Sequence, residues 1–71
     1  MKRINVKSSS IKSVGYCIED EILEIEFTRG AIYKYYKVLP KIFCELMFSE
    51  SVGKYFDQHI KKKYNYEKIG E

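Results

Sequence analysis

The chain has 71 residues, of which 45% are hydrophobic and 32% are charged, and its net charge is +3 at neutral pH. This balance excludes a disordered chain, and the length allows a single domain over residues 1–71, near the lower limit for folding without disulfides or metals. The apolar runs are too short to span a bilayer and no signal-peptide core follows the basic N-terminus, so the sequence predicts a cytoplasmic protein without a membrane partner.

The first half of the chain predicts three β-strands. After a polar lead-in at residues 1–12, strands are expected over 13–19, 21–28 and 31–38. The alternation is clearest in the second strand, where apolar side chains alternate with Glu24 and Glu26. Gly30 suits the positive φ of a tight hairpin. Three strands with such short links predict an antiparallel meander.

After the third strand the hydrophobic period becomes helical. Pro40 suits the first position of a helix that ends near Phe48. Ser49 or Ser51 can cap a second helix, whose apolar positions recur at Val52, Phe56 and Ile60. The sequence therefore predicts an α+β domain in which a three-stranded antiparallel meander is followed by two short helices packed on one sheet face.

The residues with catalytic or metal-binding chemistry are few. Cys17 and Cys44 form no CxxC motif, which favours two free thiols over a disulfide. His59 is the single histidine, and one histidine with two distant cysteines does not make a zinc site. A chain of this length also has little room for a catalytic cleft, so we expect no enzymatic role, no cofactor and no small-molecule substrate.

Lysine and tyrosine cluster near the C-terminus, which suggests a binding surface. Residues 61–63 are consecutive lysines, expected in the last turn of the second helix, and residues 64–71 are expected to form a tail. Aromatic faces stack on unpaired bases while ammonium groups contact phosphates, so RNA is the expected partner. The predicted primary contacts are Lys54, Lys61, Lys62, Lys63, Tyr64 and Tyr66, and the predicted secondary contacts are Lys34, Tyr36 and Lys37.

The third strand leaves open which of its faces is buried. Tyr33 and Tyr35 share one face, about 7 Å apart, and either stack on neighbouring bases or pack against the helices as core. If they share the buried face of the second strand, Lys34 lies beside Glu24 and Glu26 on the other face. That register would repel phosphate from the sheet and leave the helix end and the tail as the RNA surface.

Two alternatives to RNA binding remain. The lysine run is also typical of a solvated helix end, where cations interact favourably with the helix dipole. A short sheet with exposed edges and many aromatic residues is equally typical of a protein-interaction module or of a chain that associates with a second copy of itself. Steep salt dependence of binding would favour RNA over the apolar interface.

An ordered pattern runs through most of the chain and consists of Ser9, Ser10, Tyr16, Leu23, Ile25, Phe27, Gly30, Tyr33, Tyr35, Val38, Leu46, Ser51, Gly53, Phe56, Ile60, Tyr64 and Tyr66. The order and spacing of these residues resemble the KTSC domain, found at the C-terminus of some lysyl-tRNA synthetases and alone in bacterial and phage proteins. The resemblance covers roughly residues 8–66, and Asp57 departs from it by standing where an asparagine is common. The family has no established activity, and its synthetase context implies RNA binding.

Overall fold

The computed structural model describes residues 2–71, which form five strands and two helices. In chain order they are β1 (Arg3–Asn5), β2 (Ile11–Cys17), β3 (Ile22–Phe27), β4 (Ile32–Tyr35), α1 (Pro40–Phe48), α2 (Val52–His59) and β5 (Tyr66–Gly70). The strands form one sheet in the order β1-β2-β3-β4-β5, and every neighbouring pair is antiparallel. The fold is α+β, as the sequence predicts.

The sheet has two strands more than the expected meander. The meander corresponds to β2, β3 and β4, whereas β1 lies in the expected lead-in and β5 in the expected tail. All residues of β1 are exposed, and so are all of β5 except Gly70. An edge strand exposed on both faces has no buried side on which apolar residues would alternate, so its sequence looks like that of a polar segment.

The hydrophobic core lies between the helices and one face of the sheet. The ring of Phe43 in α1 stacks on that of Tyr16 in β2, with centroids 4.7 Å apart, and Phe56 of α2 packs edge-on against Phe27. Both helices therefore cover the same sheet face. The buried hydrophobic side chains are Ile11, Val14, Leu23, Ile25, Tyr35, Val38, Leu46, Val52, Phe56 and Ile60.

The register between β3 and β4 decides which face of β4 is buried. Tyr35 lies opposite Leu23, and Tyr33 lies opposite Ile25, so both tyrosines point to the helix side. Glu24 and Lys34 are paired on the other side, which we call the open face. This is the register for which the sequence predicts that the RNA surface lies at the helix end and the tail.

The helix ends follow the expected capping residues, with one correction. α1 begins at Pro40, and α2 is capped by Ser51, whose hydroxyl accepts from the backbone N–H of Lys54 at 3.3 Å. However, α2 ends at His59, so residues 61–63 lie in the following turn and not in the last helical turn. The N–H groups of Ile60 and Lys61 both donate to the carbonyl of Phe56, which closes the helix before the lysine run begins.

Neither helix within residues 2–71 has the length and apolar character needed to cross a membrane. Cys17 and Cys44 are free thiols. In the same described range, no three side chains of His, Cys, Asp or Glu are grouped so that they could bind a metal ion.

Candidate functional site: an aromatic groove

A groove of about 760 Å³ lies on the helix side of the sheet. It lies where α2 leaves the ends of β3, β4 and β5 uncovered, and we call it the aromatic groove. Its lining residues are Ser9, Ser10, Phe27, Thr28, Arg29, Ala31, Tyr33, Tyr35, Phe56, Asp57, Lys61, Lys62, Tyr64 and Tyr66.

Five rings in continuous contact form the inner wall of the aromatic groove. Tyr66 of β5 lies 5.7 Å from Tyr33 and 5.6 Å from Tyr35, centroid to centroid. Phe27 contacts Tyr33 edge-on at 5.7 Å, and Phe56 contacts Tyr35 edge-on at 5.5 Å. Such offset and edge-to-face arrangements stabilise aromatic clusters beyond simple area burial. The rings are therefore held in place before any ligand binds.

Burial decreases across this ring cluster from its base to its outer edge. Phe56 and Tyr35 are 2% and 3% exposed, Tyr33 is half-buried and Tyr66 is 59% exposed. Burial raises the pKa of Tyr35 to about 12, with further contributions from Tyr33 and Tyr66, so this phenol stays neutral at physiological pH. The inner rings belong to the core, and the outer rings offer faces to a ligand.

Cations surround the opening of the groove. Arg29 comes from the β3–β4 turn, and Lys61 and Lys62 come from the turn after α2. Within residues 2–71 no ion pair shorter than 4.0 Å holds any of the three. Asp57 of α2 is the single carboxylate in the lining, and no carboxylate partner competes there for the cations at short range. The groove therefore combines aromatic surface with available positive charge.

The remaining wall of the groove is the serine-rich segment, residues 8–10, which lies against the end of β3 and against α2. Thr28 donates its backbone N–H to the carbonyl of Ser10 at 2.9 Å, which ties the segment to the end of β3. Ser8 accepts through its hydroxyl from the N–H groups of Ser10 and Ile11, both at 3.2 Å. A Cβ on Gly53 of α2 would lie 2.9 Å from the Ser10 hydroxyl, so glycine permits the close approach of helix and segment.

The structure brings together four of the nine residues that the sequence predicts as RNA contacts. Lys61, Lys62, Tyr64 and Tyr66 line the aromatic groove. Lys54 and Lys63 are exposed but lie outside its lining.

The other three predicted contacts lie away from the groove. On the open face, Lys34 is aligned between Glu24 of β3 and Glu67 of β5. The Tyr36 hydroxyl donates to the Glu67 carboxylate at 2.6 Å, and this hydrogen bond raises the pKa of Tyr36. Lys37 follows β4 in a bend with a positive φ of 59° and is exposed. The geometry therefore separates these residues from the C-terminal cluster.

The sequence alone did not point to several residues of the groove. Arg29 was not singled out in the sequence, and Asp57 was noted only as a departure from the KTSC resemblance. Tyr33 was weighed between base stacking and core packing; in the structure it packs against the core, and it also lines the groove. The apolar alternation of β3 and β4 could have indicated this part of the groove, because it places Phe27 and Tyr33 on one face at the same end of the sheet.

Comparison with known proteins finds relatives of nearly the same length and also much longer ones. Residues 7–64 match the family model described as the KTSC domain. An uncharacterized protein from Stutzerimonas stutzeri is 43% identical over 70 residues, covering 97% of this chain and 99% of that protein. A lysine–tRNA ligase from Nostoc punctiforme is 35% identical over 63 residues, which are 89% of this chain but only 11% of the ligase.

The fold also agrees with a solved structure. The crystal structure of a KTSC domain protein from Yersinia pestis superposes with a TM-score of 0.92 at 38% sequence identity. The similarity covers 97% of each chain. The five-stranded sheet with two helices is thus the architecture of a protein of the same size.

Proposed function

The chain belongs to the KTSC domain family, and we propose that it is a non-catalytic module that binds single-stranded RNA in the aromatic groove. The observation that carries this proposal is the combination of preorganised rings with three cations that form no ion pair with a carboxylate of the described chain. Base–aromatic stacking and phosphate contacts are interactions by which proteins bind unpaired strands irrespective of sequence.

The charge of the groove favours an anionic ligand. Aromatic pockets also bind organic cations through their ring faces. Here, however, Arg29, Lys61 and Lys62 stand against the single carboxylate of Asp57, so a cationic group would meet net repulsion. A nucleotide strand satisfies both features because it presents a flat base and an anionic backbone.

The unpaired form of RNA fits this groove better than a duplex does. The outer rings, Tyr33 and Tyr66, lie inside a concave surface between α2 and the serine-rich segment. Bases in a duplex are stacked on each other and cannot present a face to these rings, whereas unpaired bases can. The similarity to a segment of a lysine–tRNA ligase supports RNA as the nucleic acid.

Fluorescence anisotropy tests the proposal. Labelled single-stranded RNA and a duplex of the same composition are titrated with the protein at low and at physiological salt. We expect saturable binding of the single strand, weaker binding of the duplex, and a slope of log affinity against log salt of roughly −2 for three phosphate contacts. Absence of single-strand binding at low salt would refute the proposal.

A second candidate function is association with a protein or with a second copy of the chain. The observation that favours it lies away from the groove: Ile4 and Ile18 are 53% and 61% exposed and flank a hollow of about 630 Å³. At the end of α1, Phe48 is 88% exposed. Light scattering at micromolar concentration separates the two cases, because a monomer whose RNA affinity is salt-dependent contradicts self-association as the main role.

A further inference from the structure

We infer that the aromatic groove selects guanine, because the Asp57 carboxylate is positioned to accept hydrogen bonds from the edge of a base stacked on the outer rings. This inference rests on the proposed function. Asp57 belongs to α2 and lines the groove together with Phe56, the residue before it, whose ring contacts Phe27 and Tyr35. Asp57 therefore belongs to the same groove lining as the ring cluster.

The carboxylate of Asp57 has no partner that would occupy its oxygens. Within residues 2–71 it takes part in no ion pair shorter than 4.0 Å, including with Lys61 four residues further on. No side-chain hydrogen bond of the described chain uses it either. An ionised carboxylate accepts through both oxygens and donates through none, so both oxygens of this exposed group are open to water or to the donors of a ligand.

The four RNA bases differ in the donors that they can offer to such a group. Guanine presents an N1–H and an N2 amino group side by side on its Watson–Crick edge, and these match the two oxygens of a carboxylate. Uracil offers a single N–H. Adenine and cytosine place a ring-nitrogen acceptor beside the amino group, and that nitrogen would face an oxygen of the same polarity. Unpaired bases are commonly recognised at this edge.

The surrounding charges fix the orientation of the nucleotide. A phosphate placed beside Asp57 would be repelled, whereas Arg29, Lys61 and Lys62 attract it towards the opening. The base is thereby directed inward to the rings and the carboxylate, and the backbone outward to the cations. One carboxylate within a basic groove thus supplies selectivity for the base while the cations supply affinity for the strand.

Binding of the oligoribonucleotides UUGUU, UUAUU, UUCUU and UUUUU to three proteins tests the inference. We expect the wild-type protein to bind UUGUU about tenfold more tightly than the other three. Asp57→Asn should lose most of this preference, since its amide offers one acceptor and one donor in place of two acceptors. Glu50→Gln, an exposed residue outside the groove, removes the same charge and should retain the preference.

The possible results separate the inference from the proposed function. Equal affinity of the wild-type protein for all four oligonucleotides, or a preference that survives in Asp57→Asn, would overturn guanine selection and leave RNA binding standing. Failure of all four to bind would overturn the proposed function itself. A guanine preference lost only in Asp57→Asn supports both. Circular dichroism of each variant confirms that the fold is intact.

Discussion

The aromatic groove and the open face of the sheet both contain lysine and tyrosine, but these side chains have acidic partners on the open face and none of those partners in the groove. On the open face, Lys34 is aligned with two glutamates, Tyr36 donates to Glu67, and Arg3 pairs with Glu24 at 3.6 Å. In the groove the cations have no such partners, and Tyr66 offers a ring that is 59% exposed. Lysine and tyrosine content alone therefore does not indicate a candidate binding surface. The strand register decides which of these side chains are paired with glutamates and which are left available for a ligand.

The largest effect is expected from a core substitution that destabilises the whole domain and therefore both the groove and the open face. Ile25 is fully buried beneath the helices, so Ile25→Ala should lower the free energy of unfolding by about 2–5 kcal/mol. Urea denaturation measures the loss. Ile69→Ala on the exposed edge strand is the control and should change it by less than about 0.5 kcal/mol. A fully stable Ile25→Ala protein would contradict the assigned core.

Removing one tyrosine from each surface tests which of the two surfaces binds RNA. Tyr66→Ala should weaken binding of single-stranded RNA by about 1–3 kcal/mol, the usual effect of losing one base stack. Tyr36→Ala removes a ring of the same type from the open face and should leave the affinity unchanged. Anisotropy titrations measure both. Equal losses in the two variants would mean that the groove is not the binding surface.

The contact between α2 and the serine-rich segment supports the wall of the groove. Gly53→Ala would place a Cβ 2.9 Å from the Ser10 hydroxyl and 3.3 Å from that of Ser8. We expect this crowding to appear as a coupling of about 1 kcal/mol between positions 53 and 10. Gly53→Ala should accordingly be better tolerated when Ser10 is alanine. Additive changes in unfolding free energy would show that the two positions do not press on each other.

Alkaline pH should weaken the fold through the buried phenols. Tyr35 and Tyr55 have pKa values raised from 10.0 to about 12, mainly by burial, and Tyr55 also donates to Glu45 at 2.6 Å. Between pH 10 and pH 12 the folded state keeps protons that the unfolded chain releases, so stability is complete below pH 10 and falls as pH rises through this window.

Melting temperatures measured across that window test the assignment. Tyr35→Phe cannot ionise at this position and should therefore show a shallower decline than the wild-type protein above pH 10. Tyr64→Phe is a comparison variant, since that ring lies at the groove and is only half-buried. The same decline in Tyr35→Phe as in the wild type would contradict the role given to Tyr35.

The strands of the meander were predictable because one side of each is buried. The alternation in β3 and the proline at the start of α1 predicted these two elements. The alternation also indicated that Tyr33 and Tyr35 would belong to the core if they shared the buried face of β3. The edge strands were not predictable by this signal. β1 and β5 bury almost nothing, so hydrogen bonding to the neighbouring strand, and not a hydrophobic pattern, determines their conformation.

The candidate site was predictable only where its residues are close in sequence. Lys61, Lys62, Tyr64 and Tyr66 form one short segment, and their pattern was visible. The rest of the groove comes from the serine-rich segment, the β3–β4 turn and α2, which only the sheet topology brings together. Arg29 and Asp57 are candidate site residues only because of their position in this groove, and a pattern of residues close in sequence does not predict that position.

Two double variants, one inside the aromatic groove and one outside it, remove the same charge and test the proposed binding surface most directly. Lys61→Ala with Lys62→Ala should weaken single-stranded RNA binding about tenfold or more and flatten the salt slope by roughly 1.4, the expected effect of losing two phosphate contacts. Lys34→Ala with Lys37→Ala should leave both quantities close to those of the wild-type protein. Equal losses in the two double variants would show that net charge, and not the aromatic groove, attracts the RNA.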